Sequence, residues 1–209
     1  MVIQVRAART RQSLIGAAAE VFADEGYVRA SLPSICKRAG VSSGALHFHF
    51  ASKEALAREV EGAAVVSAQK LAERCRAEAG SALQSVVDVT SGLMLAMASD
   101  PVVRAGFRLS GDPSRKGGAE LFQWWYASAR ELVVRARGAG ELAQDVSPED
   151  AAAVIVAATV GFGALAGWDE EWLSSGRAER FWAFVLPRLA VAPEGRPDVV
   201  GPDVGEGPP

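Results

Sequence analysis

Apolar residues recur every three or four positions along most of the chain, which is the spacing of one face of an α-helix. The first such stretch covers residues 10–25 and stops at Gly26, a residue type that commonly ends helices. Two short helices are predicted next, over residues 32–39 and 43–48, and a long helix starts at Lys53.

Side chains at the predicted helix boundaries agree with this division. Ser31, Ser42 and Ser52 each stand one position before a predicted helix, where a hydroxyl oxygen can accept from a free backbone N–H. Gly40 separates the two short helices and predicts a tight turn between them.

The helical periodicity continues through the rest of the chain. One broad apolar stripe covers residues 83–97, and Pro101 opens a helix that closes at Gly111, before a polar, glycine-rich loop. Three more helices are predicted, over residues 119–137, from Ser147 onward and over 176–189. Because strand patterns are essentially absent, the sequence predicts an all-α protein.

Charge is distributed unevenly along the 209 residues. Residues 1–53 carry seven basic and three acidic side chains, a net charge of +4, whereas the remainder carries 15 basic and 22 acidic ones, a net charge of −7. A basic N-terminal region on an acidic body favours a polyanionic partner for that region alone.

The composition, 49% hydrophobic and 22% charged, is that of an ordinary globular protein. No apolar stretch was expected to reach the roughly 18 residues of a membrane span, and the N-terminus lacks a signal-peptide core, so we predict a cytoplasmic protein without a membrane partner. Cys36 and Cys75 are expected to be reduced thiols. Residues 192–209, rich in proline and glycine, are predicted to form a disordered tail.

Both histidines lie in the segment "GVSSGALHFHF", at positions 47 and 49. Residues two apart on a helix point about 200° away from each other, so this pair cannot share a metal ion. No third histidine and no nearby cysteine pair completes a site. We therefore predict neither a metal site nor a cofactor.

The first three predicted helices have the order of a helix-turn-helix unit preceded by a supporting helix. The apolar positions that would pack the two short helices on the first are Ile35, Ala39, Val41, Leu46 and Phe50. The second short helix then presents small and aromatic residues outward, which suits close approach to a DNA major groove. His47 is expected to face the DNA backbone and His49 to pack locally. The candidate DNA-binding residues are Ser31, Ser42, Ser43, Gly44, His47, Phe48 and Lys53.

The segment "TRQSLIGAAAEVFADEGYVRASLPSICKRAGVSSGALHFHFASKEAL" resembles the DNA-binding domain of the TetR family of transcriptional regulators. The Gly26-Tyr27 break, "AGVSSGALHFHF" and "SKEAL" carry the resemblance in order. It implies a head at residues 1–52, a ligand-binding and dimerisation domain at 53–191, and a roughly palindromic double-stranded DNA operator. Tyrosine is common in that family where His47 stands.

The resemblance also implies a small-molecule pocket in the C-terminal helices. Trp125 shares a helix face with Phe122 and Leu132, whereas Trp124 lies on another face. The candidate lining residues are Thr90, Met94, Met97, Phe107, Phe122, Gln123, Trp125, Thr159 and Phe162, with Gln123 or Thr159 as polar handles. For each of them, simple core packing is the alternative.

Three shorter segments, "DPVVRAGFRLS", the Phe-x-x-Trp of "LFQWWY" and "VGFGALAG", resemble the γ-butyrolactone receptor branch, the autoregulator receptors of streptomycetes. In that branch a tryptophan matching Trp125 lines the ligand pocket. The resemblance implies a repressor that a γ-butyrolactone releases from its operator. The alternative is a pseudo-receptor of the same fold that responds to a butenolide, a furan or an antibiotic.

The segment "GFGALAG", residues 161–167, sits within a predicted helix and misses the G-x-G-x-x-G spacing of a nucleotide loop, so helix packing is the better interpretation. This helix and the last one would build a four-helix bundle in a homodimer. The other residues assigned to that bundle are Trp168, Phe181, Trp182 and Val185.

Two other classes of protein are alternatives to a DNA-binding regulator: an enzyme and a helical adaptor. An enzyme is disfavoured because the chain has no G-x-S-x-G, no paired carboxylates at a catalytic spacing, and both histidines in the head. A helical adaptor that uses the head for protein contacts would differ in its response to salt and to competing DNA.

Overall fold

The computed structural model describes residues 2–115 and 117–191, so the predicted tail at 192–209 lies outside the described residues. Within those ranges the chain is helical, apart from loops and one isolated antiparallel bridge between Leu142 and Ala190, which confirms the all-α prediction. The helices are α1 (Val2–Arg29), α2 (Leu32–Ala39), α3 (Ser43–His49), α4 (Lys53–Glu78), α5 (Ala82–Ser99), α6 (Pro101–Ser110), α7 (Glu120–Gly138), α8 (Pro148–Leu165) and α9 (Ser175–Leu189), with a 3₁₀ turn at Glu170–Leu173.

The predicted serine caps are in place. The hydroxyl of Ser42 accepts from the backbone N–H of Ala45 at 3.2 Å, and those of Ser31 and Ser52 accept in the same way three residues on. Gly40 makes the turn between α2 and α3 in a left-handed conformation, with φ 66° and ψ 33°. The helix-turn-helix geometry therefore follows from local sequence signals.

Helix α1 is longer than predicted at both ends. Residues 2–9 show no apolar periodicity, yet they are mostly good helix formers and contain no breaker. The predicted stop at Gly26 is a kink, with φ 77° and ψ 170°, after which the chain turns again as far as Arg29.

Two hydrophobic clusters divide the protein. The head cluster is formed by α1, α2 and α3, but it also takes in Leu56 and Val60 from α4 and Ala105 and Leu109 from α6. The division after residue 52 remains a prediction, and the core of the head crosses it. Cys36 is buried in this cluster and Cys75 is half-buried in the body, and both are free thiols.

The body cluster is built from α4, α5, α7, α8 and α9, with α6 packed tightly against α4. A side chain at Gly106 would overlap the Cβ of Ala64, so glycine permits the close approach of these two helices. This contact matters because α4 and α6 both contribute residues to the core of the head as well as to that of the body.

Helices α5 and α8 have the length and mean hydropathy of membrane spans, 1.3 and 1.4 respectively, so the expectation that no stretch is long enough was wrong. Core helices of globular proteins pass the same test, and α5 buries Leu93, Met94 and Met97. Only 22% of α8 is buried within this chain, and its outer face carries Val154.

Candidate DNA-binding surface and ligand pocket

The outer face of α3 is open to solvent. Ser43, Gly44 and His47 are exposed, and the ring of Phe48 is 81% exposed, while Leu46 on the opposite face is fully buried. A phenylalanine this exposed adds little to the core, and it lies on the same helix as the exposed Ser43, Gly44 and His47.

His49 lies half-buried at the base of α3, where it packs locally as expected. Its ring centroid is 5.1 Å from that of Phe48, edge to face, and 6.3 Å from that of Phe50. Among residues 2–115 and 117–191, no three side chains of the types that bind metals come together.

Lys53, a predicted DNA contact, binds the carbonyl end of α1 in this structure. Its ammonium donates to the backbone carbonyls of Tyr27 at 2.8 Å and Ala30 at 2.9 Å, and it lies 4.5 Å from the centroid of the Tyr27 ring. These carbonyls end α1 and carry partial negative charge, which attracts the cation. The structure therefore places the Lys53 ammonium at the end of α1.

The other predicted contacts in the head keep exposed positions. Ser31 and Ser42 are exposed, although their hydroxyls serve as helix caps. Lys37 is exposed beside them, whereas Arg38 is paired with Glu20 at 2.8 Å.

Most of the predicted pocket residues come together in the body. Met94, Met97, Phe107 and Trp125 belong to one buried cluster, and Thr90 and Thr159 are fully buried. Phe122 packs against Phe107 with ring centroids 6.0 Å apart, and Phe162 lies at the edge of the cluster.

Gln123 is one of the two residues predicted as a polar handle of the pocket. Its side chain is exposed, because it stands two positions before the inward-facing Trp125 on the same helix. The hydroxyls of Thr90 and Thr159 donate to carbonyls one turn earlier, each at 2.7 Å. The Trp125 Nε1 is buried with no hydrogen-bond partner among the described residues.

The predicted lining residues pack against one another. Two open depressions among the described residues, about 440 Å³ each, have other linings: one lies between α4 and α5 near Lys70 and Arg74, the other near Arg137 and Leu142. Gly163, within "GFGALAG", would place a Cβ 2.8 Å from the sulfur of Met97, which supports the packing interpretation of that segment.

Helices α8 and α9 leave a second apolar surface uncovered. Phe184 is 85% exposed, Trp168 is 89% exposed, and Val154 lies on the outer side of α8. Trp182, predicted to face a partner, is instead buried within the chain, and Phe181 packs edge to face on Phe162 with centroids 5.5 Å apart. The periodicity of α9 placed its apolar residues on a helix without showing which face meets the body.

A buried ion cluster beside the head was not predicted from the sequence. Arg115, in the loop after α6, pairs with Glu54 and with Glu61, and its side chain is only 1% exposed. A single arginine within "DPSRKGG" carries no periodic or motif signal. Gly118 stands next to this cluster with φ +110°, a conformation that favours glycine, but a glycine in a loop does not by itself predict an ion cluster.

Comparison with known proteins agrees with this architecture. The family model described as "Bacterial regulatory proteins, tetR family" matches residues 14–60. The A-factor receptor protein of Streptomyces griseus is 35% identical over 95% of this chain and 73% of its own length. The chain is also similar to the crystal structure of a gamma-butyrolactone receptor (ArpA-like protein), with 29% identity, a TM-score of 0.73 and 90% of both chains covered.

A third similar protein is CprB from Streptomyces coelicolor, whose structure was solved with its biological operator sequence. It is 28% identical, with a TM-score of 0.73, and the match covers 89% of this chain and 90% of that one. The family model covers the head, and these relatives extend the likeness across the body. The chain therefore belongs to the tetR family of bacterial regulatory proteins, in the branch that holds the A-factor receptor and the gamma-butyrolactone receptors.

Proposed function

We propose that this protein is a homodimeric repressor that binds double-stranded DNA through α3 and leaves it when a γ-butyrolactone enters the body. The observation that carries the proposal is that one chain has both an exposed aromatic residue on α3, Phe48, and, in the apolar core of the body, a tryptophan N–H without a partner, that of Trp125. We place it in the cytoplasm, where its DNA lies, without cofactor or catalytic role.

For DNA, α3 enters the major groove with Ser43, Gly44 and Phe48 toward the base edges and His47 toward the phosphates. Nearby exposed cations, Lys37 with Arg6 and Arg9 on α1, add phosphate contacts. Binding that rests on such contacts weakens steeply with salt.

For the effector, the Trp125 N–H donates to a lactone carbonyl, and Met94, Met97 and Phe107 surround the alkyl part. Met94 and Met97 are buried in this core, so their flexible unbranched side chains must move to admit the effector. Phe107 lies on α6, whose residues Ala105 and Leu109 belong to the core of the head. A ligand that displaces Phe107 would therefore shift the population of head orientations.

For assembly, the uncovered apolar surface of α8 and α9, with Val154 and Phe184, is the dimer interface. A two-fold axis through it sets two copies of α3 about 34 Å apart, or a multiple of it, and so requires a roughly palindromic operator.

A second candidate is a pseudo-receptor of the same fold that responds to a butenolide, a furan or an antibiotic. One observation favours it: Gln123, a predicted polar handle for the lactone, is exposed on the surface of this chain. Such a protein would bind DNA in the same way and ignore γ-butyrolactones.

The test is gel mobility of the DNA upstream of the gene, with purified protein and with or without synthetic γ-butyrolactones. A shift that the lactone abolishes supports the receptor-repressor. A shift that survives every lactone and yields to a butenolide, a furan or an antibiotic supports the second candidate. If a selection from random duplex DNA also recovers no binding sequence, the repressor proposal is wrong.

A further inference from the structure

A buried arginine binds α4 and the end of α6 within the body and contacts the head at Tyr27. Arg115 lies in the loop between α6 and α7, and its Nε and Nη2 donate to the two carboxylate oxygens of Glu54 at 3.2 and 2.9 Å. This two-pronged geometry fixes the direction of the guanidinium as well as its position. The remaining nitrogen, Nη1, donates to the carbonyl of Leu109 at 3.0 Å.

A second carboxylate completes the cluster. The Oε2 atom of Glu61, whose side chain is 1% exposed, lies 2.7 Å from the Arg115 Nη2, and the Ser110 hydroxyl donates to the Oε1 atom at 2.8 Å. Backbone closes over the pair at Gly118, where a Cβ would come within 3.3 Å of both the guanidinium and the carboxylate. Burial opposes the charge of Arg115, yet its hydrogen bonds to Glu54 and Glu61 raise its pKa.

The cluster reaches the head through Tyr27, the residue that follows the kink in α1. The guanidinium carbon of Arg115 lies 5.4 Å from the centroid of the Tyr27 ring, and the Lys53 ammonium lies 4.5 Å from it. One side chain thus touches the end of α1, the first turns of α4 and the end of α6. Movement of any one of these segments relative to the others would break its contacts.

The energetics argue against simple stabilisation as the reason for this cluster. Two carboxylates and a guanidinium lose their hydration on burial, and apolar residues of similar volume often stabilise a fold as well or better. Buried ion pairs are best attested where they specify one arrangement among several, and here the arrangement is that of the head on the body.

We propose that Arg115 is a positioning residue for operator binding, one that holds each DNA-binding head in a single orientation on the body through Glu54, Glu61 and Tyr27. The inference rests on the proposed homodimer with two heads on one operator. After the first head binds, the second binds at an effective concentration set by the geometry between them. If the orientation of the head varies, this effective concentration falls, while the contacts of each head with its own half-site are unaffected.

The test compares two duplexes for the variant Arg115→Gln. The first is the full operator that the wild-type protein selects from random DNA, and the second is one half-site of it. We expect the affinity for the full operator to fall roughly tenfold while the affinity for the half-site stays within about twofold. Arg130→Gln is the matched control, because it breaks an exposed ion pair with Glu149, 3.1 Å long, and should change neither affinity.

Because Arg115→Gln leaves Glu61 buried without a cation, the double variant with Glu61→Gln removes both charges and guards against misfolding. Thermal unfolding identifies the temperature at which each variant is folded, and binding is measured there. The positioning role is wrong if the folded double variant keeps full-operator affinity, or if full-operator and half-site affinities fall together. If the wild-type protein selects no DNA sequence, the proposed function itself is wrong. The affinities of the variants test only the positioning role of Arg115.

Discussion

The guanidinium of Arg108, on the body helix α6, lies against Gly26 at the kink of α1, so close that a Cβ on the glycine would come 3.2 Å from the arginine Nε. The same guanidinium donates to the carbonyl of Ala23 at 2.7 Å. Arg108 therefore binds the Ala23 carbonyl beside the break in α1. Because Gly26 has no side chain, there is room at the break for the arginine's guanidinium.

Gly26→Ala should destabilise the protein by about 1–3 kcal/mol, because φ 77° with ψ 170° is a region that alanine rarely adopts. Urea denaturation followed by circular dichroism measures the free energy of unfolding. Gly16→Ala is the control: its Cβ would meet nothing within 4 Å inside α1, so it should stabilise by about 0.5–1 kcal/mol. Equal effects of the two substitutions would contradict the role assigned to the kink.

Phe48→Ala should weaken operator binding by at least about 1 kcal/mol while the melting temperature stays unchanged, because the ring is 81% exposed and contributes to no core. Fluorescence anisotropy with labelled operator gives the affinity. Val28→Ala, at another exposed apolar position of the head, should leave binding as it is. An unchanged affinity for Phe48→Ala would remove α3 as the base-reading element.

Trp125→Phe keeps an aromatic ring in the core and removes the buried Nε1–H that has no hydrogen-bond partner among the described residues. Operator affinity should be retained, while the γ-butyrolactone concentration that releases DNA should rise about tenfold, as expected for one lost hydrogen bond. Trp124→Phe, at the neighbouring half-buried tryptophan, is the control and should respond like wild type. An unaltered response of Trp125→Phe would mean that the effector binds elsewhere.

Phe184→Glu places a charge on the uncovered surface of α8 and α9, where the native ring is 85% exposed. Light scattering coupled to size-exclusion chromatography should show a monomer, since a buried unpaired charge is costly. Val66→Glu, an exposed apolar position on α4, should remain dimeric. A dimeric Phe184→Glu would place the interface on another face.

The hydrogen bonds from Arg115 hold the pKa of Glu54 below its ordinary value of 4.5, although burial acts in the opposite direction, and contacts from Tyr27 and Arg58 add to the lowering. A lowered folded-state pKa stabilises the protein above the unfolded pKa, and this stability is lost as the pH falls through the folded value. The free energy of unfolding should therefore fall less steeply in acid for Glu54→Gln than for wild type. Glu73→Gln, on the exposed side of α4, should keep the wild-type slope.

Much of the head could be predicted from the sequence, because its signals are local. A serine oxygen caps the helix that starts one residue later, a glycine turns the chain where it stands, and the 3.6-residue period assigns Leu46 inward and Phe48 outward. Trp125 was placed in the core for the same reason, since a helix that buries one face leaves little choice for a residue on it. The family resemblance then extended these local conclusions to DNA and ligand.

Tertiary structure decided the contacts between segments far apart in the chain. The ammonium of Lys53 could have met a phosphate, but the folded chain brings the carbonyl end of α1 within 2.8 Å of it. Arg115 and Glu54 are 61 residues apart, and no period or motif relates them until α6 packs on α4. Likewise the amphipathic pattern of α9 left open whether Trp182 or Phe184 would face the body. Local spacing determines which residues share a helix face, whereas only the packing of the helices determines what each face meets.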